Sequence, residues 1–175
     1  MPTKNSRRAK NSERAATEGR AASAARPRLS LSIQLGARIR ELPASRAQLR
    51  RWVASALESD MQLTLRFVGH AEGRTLNRDY RGRDYATNVL TFVYDDAAPA
   101  GVAPTQADIV VCMPVLAREA RARRIPLEHH LAHLVVHGVL HACGHDHEHD
   151  DEAALMESRE TRVLARFGIS DPYRG

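Results

Sequence analysis

The sequence predicts an α+β fold in which a small four-stranded mixed sheet packs with helices, one of them a metal-binding helix lying across one face. Three observations lead there. Four short stretches alternate apolar and polar residues or run β-branched at strand length. Helical apolar stripes fall between, before and after those stretches, which suits a layered mixed architecture. Eight of the nine histidines lie between His129 and His149, inside one of the helical segments and the turn that follows it. At 175 residues and 43% apolar side chains, the chain has one domain's worth of sequence and enough to bury a core. No internal repeat is visible.

The elements follow in order. Leu29, Leu31, Ile33 and Leu35 alternate with Ser30, Ser32 and Gln34, the period of a half-buried strand. Ser45 is the expected N-cap of a helix whose stripe is Leu49, Trp52, Val53, Ala56 and Leu57. Met61, Leu63, Leu65 and Phe67 alternate again as a second strand, and residues 72–80 read as a short helix. Two β-branched runs, 87–94 and 107–113, are strands joined by a Pro-, Gly- and Ala-containing surface loop over 97–105. Residues 114–124 form an arginine-rich helix, and Pro126 opens the histidine helix. A last helix spans about 150–167, with Leu155, Met156, Val163, Leu164 and Phe167 on its apolar face and Gly168 at its end.

Residues 1–28 are expected to stand apart as a disordered basic tail, leaving 29–175 as the folded domain. The tail holds eight Lys and Arg against Glu13 and Glu18, a balance of +6 in a chain of +5, so the remainder carries −1. It is rich in Ala, Ser and Arg without apolar periodicity, and would add nonspecific, salt-sensitive affinity for RNA. It lacks the apolar core of a secretory signal; a transit peptide or a start codon placed too far upstream are the other readings. No segment has the length of apolar sequence that crosses a bilayer, so no membrane partner is expected. Cys112 and Cys143 are too few for a disulfide framework and read as buried free thiols in a reducing compartment, the cytoplasm.

The chemistry concentrates in the run HGVLHACGHDH. His137 and His141 are four apart, so on a helix their rings project from one face a turn from each other. Gly144 can take the left-handed conformation that ends the helix, letting the chain double back and bring His147 to the first two rings. Three neutral imidazoles with a fourth tetrahedral position left to water suit catalytic zinc, one ion per chain. A merely histidine-rich surface fits less well, because Val139, Leu140, Ala142 and Cys143 suit a buried helix. His133, one turn earlier, is a candidate support for the ligands; His129 and His130 read as solvated, and His145 and His149 flank His147 and compete with it. Cys143 would point well round the helix from His141. Gly138 occupies the place where a zinc protease has its glutamate base, which disfavours a peptidase and leaves room for a close approach.

A second polar cluster, LNRDYRGRDYATNVLTFVY from Leu76 to Tyr94, places Arg81 and Arg83 just before a strand. Such a turn can hold a guanidinium over a cleft for bidentate contact with a phosphate, although on composition alone a solvated turn is the commoner reading.

Taken together, these two motifs resemble those of the YbeY family, endoribonucleases that act as ribosomal RNA maturation factors. Its helix motif HGxLHxxGxDH is matched by His137, Gly138, Leu140, His141, Gly144, Asp146 and His147. Its second motif, similar to LNxxYRxKDxPTNVLSFPF, is matched at Leu76, Asn77, Tyr80, Arg81, Asp84, Thr87, Asn88, Val89, Leu90 and Phe92. Residues 107–112, ADIVVC, resemble the family's GDIVIC, and Asp171, Pro172 and Tyr173 its closing DPY. The likeness runs collinearly from Leu29 to Tyr173; Arg83, Ala86, Thr91, Val93 and His145 depart from it. The resemblance implies metal-dependent cleavage of single-stranded RNA, maturation of the 16S ribosomal RNA 3′ end and ribosome quality control. It further implies His137, His141 and His147 as zinc ligands, Arg81 as a catalytic residue, and the small ribosomal subunit as partner. Two other readings stand beside it: a noncatalytic, zinc-stabilised ribosome assembly factor, and a zinc hydrolase of another substrate.

Overall fold

The alternation that begins at Leu29 forms strand β1 (Leu29–Leu35) in a computed structural model that describes residues 26–94, 103–145 and 149–174. Residues 1–25 of the expected tail, residues 95–102, which take in most of the expected 97–105 loop, the segment 146–148 and Gly175 lie outside the described residues. After β1 come α1 (Arg46–Ala56), β2 (Met61–Val68), α2 (His70–Arg81), β3 (Val89–Tyr94), β4 (Thr105–Cys112), α3 (Met113–Arg123), α4 (Leu127–Ala142) and α5 (Asp150–Ala165). The sheet order is β1-β2-β4-β3, with β1, β2 and β4 parallel and β3 antiparallel to β4. This is the mixed four-stranded α+β arrangement that the sequence predicts.

Local chemistry sets the boundaries. Ser45 caps α1 through a reciprocal box: its hydroxyl accepts from the Gln48 amide, and the Gln48 side chain accepts from the Ser45 amide. β3 starts two residues later than its β-branched pattern suggests. Asn88 accepts the Val89 amide on its own side chain and passes its carbonyl to the Cys112 amide, which holds 87–88 as a turn. Gly144, at φ +92°, ends the α4 segment in the conformation expected of it.

The two faces of the sheet are covered unequally. Met61, Leu63, Leu65 and Phe67 of β2, with Ala107, Ile109 and Val111 of β4, point into the main core beneath α1, α4 and α5. The alternate residues Val110 and Cys112 join Val68, Ala86, Leu90 and Val115 in a smaller cluster on the opposite face, covered by Leu76 of α2. At roughly 1.5–3 kcal/mol for each large apolar side chain fully buried, the first face dominates stability. α4 is buried on nearly every side, packed by α1, α3, α5 and the β3–β4 pair. Its approach to the sheet depends on Gly138, where an added Cβ would lie 2.9 Å from both Cδ1 and Cγ2 of Ile109. The close approach that this glycine permits is therefore that of a core side chain on β4. No helix among the described residues is long and apolar enough to cross a membrane.

Candidate metal centre

The i, i+4 spacing on α4 does what helix geometry requires: the His137 and His141 Nε2 atoms stand 3.1 Å apart. Two imidazoles bound tetrahedrally at ~2.0–2.1 Å to one zinc would have nitrogens about 3.3 Å apart, so the pair fits a shared ion. The third expected ligand, His147, lies outside the described residues, as does Asp146. His145 is half-buried and engaged elsewhere. Its Nε2 is 2.9 Å from Glu58 and 3.2 Å from Arg159, which also pairs with Glu58.

The tautomer of His137 is fixed from behind by a residue that the sequence reading missed. Glu160 of α5 is fully buried, and its Oε1 lies 2.7 Å from His137 Nδ1. Its Oε2 takes His133 Nε2 at 3.0 Å and the hydroxyl of Tyr173. Burial alone would push the Glu160 carboxyl up, but the hydrogen bonds that it accepts from His133, His137 and Tyr173 bring it down to about 2. The Tyr173 hydroxyl is pushed well above its ordinary range by burial and by the Glu160 carboxylate, so it stays a donor. An ionised Glu160 only accepts, so Nδ1 of neutral His137 must donate, and its lone pair sits on Nε2, facing His141. A carboxylate behind a histidine raises the basicity of the ring and orients it for a metal.

His133, His137 and Glu160 also make up a group that could hold a metal ion in their own right, with ligand atoms within 4.8 Å of one another. His133, expected as a support for the ligands, is thus itself among the residues that could hold an ion. His130 does not follow the sequence reading. It is 2% exposed rather than solvated, because α4 is enclosed on the α3 side as well, and its Nε2 is 2.8 Å from Glu119. Burial lowers the His130 pKa, against the raising effect of Glu119. The sequence did hold a signal for Glu160. It sits at i+4 from Met156 and i−4 from Leu164, a carboxylate in the apolar stripe of α5.

Arg81 is the last residue of α2, the helix whose Leu76 packs on the smaller cluster, and is exposed. It forms no hydrogen bond or ion pair among the described residues. The neighbouring Tyr80 ring packs edge-on against Phe92 of the edge strand β3, with centroids 4.9 Å apart. The turn that follows is tightly held: Asn77, 1% exposed, donates to the Tyr85 carbonyl at 2.7 Å, and Arg74 grips Asp84 with two hydrogen bonds. Asn88 donates to Glu119, the same carboxylate that meets His130. The polar residues of the second motif therefore fix the turn after Arg81 to the sheet and to α3. Arg83 reaches only the Tyr85 hydroxyl, at 3.3 Å. Both cysteines are free thiols, but only Cys112 is buried as expected; Cys143 is half-buried, and that burial pushes its thiol up to about 11.

Comparison with known proteins places these motifs in context. The profile of the family Endoribonuclease YbeY matches residues 37–168. A protein of that name from Aromatoleum aromaticum is 54% identical over 151 residues, covering 85% of this chain and 95% of the relative. One from Bordetella pertussis is 57% identical over 155 residues, covering 83% and 96%, and one from Thiobacillus denitrificans is 50% identical over 147 residues, covering 84% and 97%. A solution structure of a Thermotoga maritima protein superposes with a TM-score of 0.49 at 23% identity, over 83% of this chain and 99% of that one.

Proposed function

The chain belongs to the Endoribonuclease YbeY family, and from that premise we propose that it is a zinc-dependent endoribonuclease cutting single-stranded RNA in the maturation of small-subunit ribosomal RNA. The observation that carries the metal assignment is the His137–His141 pair, nitrogens 3.1 Å apart, with Glu160 fixing the His137 tautomer. We assign the ligands to His137, His141 and His147, on 29–175 as the catalytic domain. In this assignment Glu160 supports the ligands without binding the ion. Both its oxygens are already taken by donors, and Oε1 is the partner that turns the His137 lone pair away toward His141.

When bound, a zinc ion supplies Lewis acidity, polarising a phosphoryl oxygen and bringing the pKa of water to about 7. The chain's own residues supply the rest. Glu160 keeps the His137 ring oriented, and His133 and Tyr173 keep Glu160 in place by donating to it. Arg81 supplies a guanidinium with no internal partner among the described residues, suited to charge that develops on a phosphate oxygen. Gly138 leaves no base on the helix where a protease would have one. The reading extends to the small ribosomal subunit as the setting in which the RNA is met, and to the cytoplasm as compartment.

The test is cleavage of an end-labelled single-stranded ribosomal RNA fragment by metal-replete protein, with Arg81→Ala in parallel. The expected outcome is cleavage by the parent, falling on the order of 10²–10³-fold in a folded Arg81→Ala variant, the range for removing one charge-stabilising donor. Equal cleavage by both proteins would refute the role of Arg81, and no cleavage by either would refute the reading.

A further inference from the structure

A cleft of about 860 Å³ opens between α1 and α5, away from the second motif. Its walls carry five arginines: Arg26 where the described chain begins, Arg51 on α1, and Arg159, Arg162 and Arg166 from α5 and its end. Glu58 is the one carboxylate among the lining residues, and Arg159 already pairs with it. The other four guanidiniums form no hydrogen bond or ion pair among the described residues. Some arginines elsewhere do find carboxylate partners, as in Arg66–Glu72, Arg74–Asp84 and Arg28–Asp60, whereas others, Arg81 among them, do not; what sets the cleft apart is that four such guanidiniums line one concavity. Arg162 and Arg166 are one helical turn apart and so present like charges on one face, an arrangement that costs stability without an anion between them.

The floor is apolar and includes Leu57, Leu140 and the half-buried ring of Phe167. A cationic groove with an aromatic floor is the combination that binds single-stranded nucleic acid, phosphates to the walls and bases to the ring. The cleft is tied along the chain to the histidine run. Leu140 immediately precedes His141, and Glu58 and Arg159 hold His145, four residues further on.

We infer that this arginine-walled cleft between α1 and α5 is the track along which the single-stranded RNA flanking the cut is held, its phosphates meeting Arg51, Arg162 and Arg166. The inference rests on the ribonuclease reading for the identity of the anion. The cleft contributes affinity without touching the reacting phosphate, so it governs KM and salt dependence and leaves kcat alone.

The experiment compares the full chain with the double variant Arg162→Ala/Arg166→Ala and with Arg162→Lys/Arg166→Lys. Binding of labelled oligouridine is followed by fluorescence anisotropy over a salt series, and cleavage kinetics are measured on single-stranded ribosomal RNA. Removing two phosphate contacts should lower the slope of log affinity against log salt by about 1.4, at ~0.7 per contact for single strands. It should raise Kd and KM together on the order of 10-fold at moderate salt, with kcat unchanged, and the lysine variant should regain most of the slope. Residues 1–25 are present in every protein compared, so their contribution cancels. An unchanged Kd and slope in a folded alanine variant would overturn the cleft while cleavage by the parent upheld the ribonuclease reading. Conversely, parent protein that binds oligouridine through these arginines but cuts no RNA would retain the cleft and remove that reading. If the substitution weakened binding of polyglutamate but not of oligouridine, the cleft would belong to an acidic protein partner and the inference would fail.

Discussion

Replacing Glu160 with glutamine isolates the support behind His137, the proposed metal ligand. The substitution keeps the size of the side chain in a fully buried place but removes its charge and one of its two acceptor oxygens. Glu160 serves His137 at 2.7 Å through one oxygen, and His133 at 3.0 Å together with Tyr173 through the other. In glutamine one of those positions becomes an NH₂ group facing a donor. Loss of one hydrogen bond to a charged group costs about 1.5–3 kcal/mol. At ~1.36 kcal/mol per decade that is roughly 10–100-fold in zinc affinity if the loss falls on His137, the range expected for a partner of a metal-bound histidine. The assay is competition with a chromophoric chelator, accompanied by thermal melting of the metal-free protein to show that the variant folds. Parent affinity in a folded Glu160→Gln protein would refute the argument. His141→Ala and His133→Ala decide between the two possible sets of ligands. Loss of metal in the first with retention in the second supports the His137–His141 site, and the reverse would place the ion among His133, His137 and Glu160.

Further outcomes follow from the packing and the charges. Gly138→Ala places a Cβ 2.9 Å from two carbons of Ile109, itself fully buried. The crowding costs about 1–3 kcal/mol, offset by about 1 kcal/mol of helix propensity, so chemical denaturation should show a net loss; a gain would mean that α4 can shift freely on β4. Ser45→Ala removes the capping box of α1 and should lower stability by about 1 kcal/mol, with an unchanged denaturant midpoint as the contrary result. The lowered pKa of His130 means that the unfolded chain takes up its proton first as pH falls below 6.5. The contribution is therefore fully present above 6.5 and is lost between that pH and the folded value, so Tm measured across this window should fall less steeply in His130→Gln than in the parent. Parallel curves would show that His130 does not titrate as its burial requires.

The sequence by itself determined the features that need only neighbours along the chain. The strands at Leu29 and Met61 were legible from alternation, and α1 from Ser45 and a stripe that turned out wholly buried, because backbone period and apolar patterning act within a few residues. The His137–His141 pair was legible for the same reason: a spacing of four on a helix fixes two side chains on one face whatever surrounds them. The resemblance placed Arg81 and Tyr173 among the residues to watch, but not what they touch.

Only the tertiary structure decided which distant residues stand behind those two rings. Glu160 lies 23 residues beyond His137, and its carboxylate reaches the imidazole because α5 packs along α4. His130 was expected in solvent and is buried because α3 closes over the start of α4, bringing Glu119 to it. The arginines of the α1–α5 cleft are unremarkable in the sequence, being spread from Arg26 to Arg166, and acquire a common role only when two helices set them facing one another. Local periodicity specifies a direction for each side chain, whereas a contact between separate elements depends on their angle and depth of packing, and those are settled by the whole core at once.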